Sequence, residues 1–195
     1  MEQQRGSPDA QTEASLIVLA QNGDRSAYGE LVRRHERGVI QVIYRMCGDA
    51  ELAQDAAQDA FIRAWSHLPS FRPGSSLRNW LYRIAVNAAI DILRRETKTT
   101  DMEIATLTLT DFQDGPEAAL IRKEQAAAVQ RAIKGLTEAG RKVLVLREYG
   151  ELSYNEIAEV LSIPLGTVMS RLNYARGQLK QALQRKSIEM ELEYE

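Results

Sequence analysis

The chain has 195 residues, of which 44% are apolar and 27% charged, and a formal net charge of −2. That composition suits one large domain or two small ones with real cores, and no apolar run approaches the ~20 residues of a membrane span. The one cysteine, Cys47, excludes an internal disulfide, and together with His35 and His67 it shows no metal-ligand spacing.

Residues 1–14 are polar and have no apolar signal core. They read as a disordered N-terminus, and the expected location is the cytoplasm. A helix is predicted over 24–46, where Leu31, Val32, Val39, Val42, Ile43 and Met46 recur at helical spacing. Gly48 is its expected stop. Cys47 reads as a small buried hydrophobe, and His35 and His67 read as surface residues. Asp49 is placed to cap the next helix, DAELAQDAAQDAFIRAW over 49–65, with Leu52, Ala56, Phe61 and Trp65 inward. Asp49, Glu51, Asp55 and Asp59 oppose only Arg63 there. An acidic helix repels DNA and suits a basic protein surface.

Pro69 and the loop FRPGSS, 71–76, interrupt the pattern. A third helix follows over 77–95, with Trp80, Leu81, Ile84, Ala88 and Ile92 in phase. Segment 71–95 carries Arg72, Arg78, Arg83, Arg94 and Arg95 against Asp91, with Phe71, Trp80 and Tyr82 interleaved. Such cations attract phosphates, and aromatic faces with a flexible loop can hold unstacked bases. Trp80, in phase with Ile84, reads as core.

Residues 96–116 change character: they are rich in Thr and Asp, with Lys98 as the one basic residue against five acids. The alternation TLTLT would be a strand without a partner, so the stretch reads as a linker. Helical patterns resume over 117–133 and 138–150. Residues 117–186 hold 12 basic and 7 acidic groups. In SYNEIAEVLSIPLGTVMSRL, 153–172, Ser153 and Glu156 form an S-x-x-E capping box. Pro164 and Gly166 mark a break, and Thr167 reads as the N-cap of the last helix.

In that last helix Val168, Leu172, Ala175 and Leu179 form one apolar stripe. Ser170, Asn173 and Tyr174 lie opposite, flanked by Met169, Arg171 and Arg176. The major groove admits one helix, and Arg, Asn and Ser can address base edges there. Arg171 is placed to read a base and Arg176 to meet a phosphate. Residues 187–195 carry four glutamates, to which no role attaches.

The helix pair alone also fits a hairpin in a structural bundle. A helix-turn-helix repressor or activator with a helical ligand-binding or dimerisation domain accounts for 153–176. It leaves the 71–95 segment and the acidic helix unaccounted for. An all-helical enzyme finds no nucleotide loop or metal cluster to work with.

Three segments in order, DAELAQDAAQDAFIRAW, FRPGSSLRNWLYRIAVNAAIDILRR and LSYNEIAEVLSIPLGTVMSRLNYAR, resemble the extracytoplasmic-function sigma factors of bacterial RNA polymerase, over roughly residues 15–185. The resemblance implies an all-α fold of two small helical domains joined by a flexible linker. These are a region 2 bundle over 15–95, an acidic linker over 96–116 and a region 4 helix-turn-helix over 117–186, followed by an acidic tail over 187–195. It implies that Asp55, Gln58, Asp59 and Phe61 dock on the clamp of the largest polymerase subunit, with the flap as a second polymerase contact. Phe71, Arg72, Ser75 and Ser76 would capture a flipped base of the −10 element, and Arg78, Arg83 and Asn87 would bind the opened strand. Thr167, Met169, Ser170, Arg171, Asn173, Tyr174 and Arg176 would face the −35 element. The linker would thread near the active-site cleft and RNA exit path. Met169 and Tyr174 stand where the family often has basic residues. The implied partners are core RNA polymerase, promoter DNA and an anti-sigma factor, often membrane-anchored. No catalytic residue, metal or cofactor is implied.

Overall fold

A computed structural model of the chain describes residues 12–72, 74–96 and 116–193. Among these residues every regular element is helical, as an all-α fold requires: eight α-helices and one 3-10 turn. Residues 1–11 and the linker stretch 97–115 lie outside the described residues.

The first unit contains α1 (Glu13–Gln21), α2 (Arg25–Cys47), α3 (Ala50–His67), the 3-10 turn Leu68–Ser70 and α4 (Leu77–Glu96). Short polar side chains set the starts. The Asp24 carboxylate accepts from the Ser26 and Ala27 amides, and that of Asp49 from the Leu52 amide, satisfying donors that a helix end leaves open. Gly48 stops α2 in the left-handed region at φ 83°, where an L side chain would be strained. Helices α2, α3 and α4 pack on one another, with α1 against α2. On α3 the buried positions are mostly alanines, Ala53, Ala56, Ala57, Ala60 and Ala64. These small side chains let the neighbouring helices approach closely.

Helix α1 has no counterpart in the sequence reading. Leu16–Ile17–Val18–Leu19 is a continuous apolar run, so it offers no one-sided helical period. Leu16, Ile17 and Ala20 are buried, while Val18 and Leu19 stay exposed. His35 is less of a surface residue than expected: its side chain is 14% exposed and Nε2 lies 2.8 Å from the Glu13 carboxylate. Cys47 is buried, as expected.

The second unit contains α5 (Pro116–Lys134), α6 (Glu138–Glu148), α7 (Tyr154–Leu161) and α8 (Leu165–Glu193). Its core includes Ile133, Val143, Leu144, Leu146, Ile157, Val168, Leu172 and Ala175. The capping box forms as read: Ser153 Oγ accepts from the Glu156 amide at 3.3 Å, and Glu156 Oε2 from the Ser153 amide at 2.8 Å.

The turn that follows differs from expectation. Ser162, not Gly166, takes the left-handed conformation, at φ 53°. The Pro164 carbonyl accepts from the Thr167 amide at 2.9 Å and the Val168 amide at 3.2 Å. The helix therefore starts at Leu165, and Thr167 lies inside its first turn rather than capping it. Proline suits this boundary because its missing N–H would have no helical acceptor there. At the other end α8 runs on to Glu193, into the glutamate-rich stretch.

The two units meet along a polar seam. Gln130 Nε2 donates to the Tyr44 and Arg45 carbonyls, and Arg141 Nη1 to the Met46 carbonyl at 2.8 Å. These carbonyls belong to the last turn of α2, where helical donors run out; that of Tyr44 also accepts from the Gly48 amide at 2.7 Å. Arg141 Nη2 also donates to the Lys134 and Leu136 carbonyls at the end of α5. The Arg45 guanidinium lies 4.4 Å from the centre of the Tyr149 ring. Tyr82 packs against Gly150, where a Cβ would come within 2.7 Å of the Leu146 carbonyl oxygen and 3.1 Å of the Tyr82 ring.

Candidate functional site

Three exposed faces carry the residues singled out in the sequence. On α3, Asp55, Gln58 and Asp59 are exposed, while Phe61 is buried. Phe61 lies in the floor of a groove of about 810 Å³ between α2 and α3, shared with Tyr28, Val32, Ile40, Gln58, Ile62 and Trp65. Tyr28 donates its hydroxyl to the Phe61 carbonyl at 2.6 Å and packs on Trp65 at 4.8 Å between ring centres. Burial pushes the Tyr28 phenol up to about 12, so it remains a donor. Ile62 is 58% exposed beside this groove. The groove thus has an apolar floor and an acidic neighbourhood, a surface for a protein segment of apolar and basic character. The sequence reading did not single out Ile62. Its signal was there, as a large apolar residue out of phase with the alanine stripe.

The second face comprises the loop after the 3-10 turn and the outer side of α4. Arg72, Gly74, Ser75 and Ser76 are exposed. Phe71 is not: it is 6% exposed and packs against Trp80, 5.2 Å between ring centres. Its ring is therefore part of the loop's foundation, not an open stacking platform. Trp80 packs on the core as read. Arg83 and Asn87 are exposed and, four positions apart, share one side of α4.

At the start of α4 the surface is already engaged by the second unit. Asn79 Nδ2 donates to Glu156 Oε1 at 3.0 Å, and Arg78 Nη2 lies 3.6 Å from the same oxygen. The Ser153 amide, then Asn79, the Ser153 hydroxyl and the Arg78 charge hold the Glu156 carboxyl down at about 2.

The third face is the N-terminal half of α8. Val168, Leu172 and Ala175 are fully buried, and Leu179 packs on the core, so the predicted stripe is the docking side. Met169, Ser170, Asn173 and Tyr174 are exposed opposite it, and Thr167 and Arg171 are half-buried at the flanks. Arg176 is exposed but not free: Nη2 donates to Glu148 Oε1 at 2.6 Å. That bond raises the guanidinium pKa further.

Among the described residues no three His, Cys, Asp or Glu side chains come together as metal donors, and no helix is long and apolar enough to cross a membrane. The arrangement offers an apolar groove between α2 and α3, beside the exposed carboxylates of α3, and a polar, partly cationic face on α8.

The family description "Sigma-70 region 2" matches residues 31–99, and "Sigma-70, region 4" matches residues 126–179. The RNA polymerase sigma-H factor of Pseudomonas aeruginosa is 38% identical, covering 87% of this chain and 92% of its own. The ECF RNA polymerase sigma factor SigW of Bacillus subtilis is 38% identical, covering 86% of this chain and 94% of its own. Among solved structures, CnrH in complex with the cytosolic domain of CnrY superposes with a TM-score of 0.68. It is 27% identical and covers 89% of this chain and 97% of its own.

Proposed function

This chain belongs to the extracytoplasmic-function group of the sigma-70 family, and from that membership we propose how its three exposed faces divide the work of starting transcription. As a sigma factor it directs RNA polymerase to promoters. The groove beside α3, with Phe61 in its floor and Asp55, Gln58 and Asp59 exposed on the same helix, docks on the clamp of the largest polymerase subunit. Arg72, Ser75 and Ser76 of the loop capture a flipped −10 base. Arg78, Arg83 and Asn87 hold the opened strand. The exposed side of α8, from Thr167 to Tyr174, enters the major groove of the −35 element.

Strand opening in this scheme is driven by binding. A base lodged in the loop offsets the stacking lost when it leaves the duplex. The protein makes and breaks no bond, and acts in the cytoplasm with the polymerase. CnrH is seen with the cytosolic domain of a partner. By likeness, an anti-sigma factor covers the groove at α3 and the −35 face here.

The observation that supports this reading is the contrast between α3 and α8 within one chain: acidic and apolar on one, polar and cationic on the other. Run-off transcription with core polymerase and a genomic promoter library tests it. Transcripts should need both components and share −35 and −10 elements. A chain that gives no transcript but shifts a palindromic duplex as a dimer would be a repressor instead.

A further inference from the structure

We propose that Gln21, the last residue of α1, is a positioning residue for −10 recognition. The proposal rests on the reading that the loop 71–76 captures a −10 base. Helix α1 lies outside both matched family regions and carries no basic residue, so it has no obvious part in holding DNA. Its side chains nevertheless reach the stem of the loop. Gln21 Nε2 donates to the Leu68 carbonyl at 3.0 Å and to the Phe71 carbonyl at 2.8 Å. A primary amide nitrogen has two hydrogens, and here both are directed at the two carbonyls that bracket the 3-10 turn. The Phe71 amide also donates to the Leu68 carbonyl, at 3.0 Å.

Besides these bonds, the upstream end of the loop is held by the Phe71 ring on Trp80 and by the Ser70 hydroxyl, which donates to the His67 carbonyl at 2.7 Å. Its downstream end is set by Ser76, whose Oγ accepts from the Asn79 amide and whose carbonyl accepts from the Trp80 amide. Between the stems, the bond from the Ser75 amide to the Arg72 carbonyl is long, at 3.3 Å. The exposed residues there take their places from the stems. Leu16, Ile17 and Ala20 bury one side of α1 in the core, so Gln21 presents its amide from a fixed platform. Recognition sites work when the groups that touch ligand are held by supporting hydrogen bonds. Gln21 supplies two such bonds from a helix that carries no basic residue.

The test uses the full chain assembled with core polymerase, and single-stranded −10 oligonucleotides differing at one position as competitors. Gln21→Met keeps the length of the side chain and removes both donors. Base discrimination should fall by roughly threefold to tenfold, the scale of one or two neutral hydrogen bonds. Core affinity, −35 preference and helical circular dichroism should not change. Gln21→Lys, whose ammonium can donate to both carbonyls, should restore most of the discrimination. Arg72→Ala and Ser75→Ala report on the loop itself. If they alter −10 preference and Gln21→Met does not, the proposal fails and the loop reading stands. If none of the three alters it, the loop reading falls and takes the proposal with it. If Gln21→Met weakens every interaction alike and Gln21→Lys restores nothing, Gln21 only supports the fold and the proposal is wrong.

Discussion

Arg171 and Arg176 lie about a turn and a half apart on α8, yet their surroundings divide their roles. Arg171 is half-buried near the helix start, next to exposed Ser170. A bidentate arginine–guanine contact carries about 1–3 kcal/mol of discrimination. Arg171→Ala should relax the preference at one −35 position, as read by selecting −35 variants against the mutant. No change in any base preference would move the reading face to Met169, Ser170 and Asn173. Arg176 was expected from sequence to meet a phosphate, but its charge is shared with Glu148, and both side chains are about half exposed. An exposed pair of this kind is worth at most about 1 kcal/mol. Arg176→Ala should leave the salt dependence of promoter binding nearly unchanged, and Glu148→Gln should steepen it. A drop of about one unit in the salt slope for Arg176→Ala would mean that DNA displaces Glu148.

At the scale of elements, α3 is divided lengthwise. Alanines face the core while Asp55, Gln58 and Asp59 face outward. Substitutions on the outer side can therefore change docking without changing the fold. Asp55→Arg replaces a like-charge neighbour of Asp59 with an opposite one at i, i+4, which favours the helix by a few tenths of a kcal/mol, about 0.2–0.5. Circular dichroism should be unchanged or slightly stronger, and capture of core polymerase should weaken. A folded variant that captures core as well as the parent would remove α3 from the docking surface. The loop that leads into α4 shows the opposite division: the Phe71 ring and Gln21 build its stem, while Arg72, Ser75 and Ser76 stand outside.

Over the whole molecule the seam between the two units decides which surfaces are open. Glu156 closes the capping box of α7 and also holds Asn79 and Arg78 of α4. Its carboxyl is lowered from 4.5 to about 2, so its contribution to stability is present above pH 4.5 and is lost as pH falls toward 2. Glu156→Gln keeps a capping-box acceptor and removes the charge. Urea unfolding between pH 6 and 3 should show a shallower loss of stability in the variant than in the parent. Parallel curves would mean that the carboxylate gains nothing from its neighbours.

Arg141 ties the ends of α2 and α5 by donating to the Met46, Lys134 and Leu136 carbonyls. Arg141→Met should cost on the order of 3 kcal/mol in urea unfolding, since buried carbonyls would lose their donors. A loss below about 1 kcal/mol would mean that the seam does not hold the units together. Among the described residues the buried side-chain atoms without a protein partner are Arg45 Nε, Asn79 Oδ1 and Arg141 Nε. All three belong to side chains at this seam. Opening it returns them to water, which offsets part of the bonding that opening gives up.

The helices over 24–46, 49–65 and 77–95, the capping box of Ser153 and Glu156, and the stripe of Val168, Leu172 and Ala175 were all legible in the sequence alone. So was the exposed set Ser170, Asn173 and Tyr174. Caps and helical periods act over one or two turns, so neighbouring residues carry the whole signal. Helix α1 was not legible, because four apolar residues in a row show no side, and only packing on α2 decides which of them are buried. The inward turn of Phe71, the start of α8 at Leu165 and the apolar groove beside Ile62 also waited for the fold. So did the pairings Arg176–Glu148, Asn79–Glu156 and Gln21–Phe71. In each pair the partners stand far apart along the chain, and only packed helices bring donor and acceptor within about 3 Å.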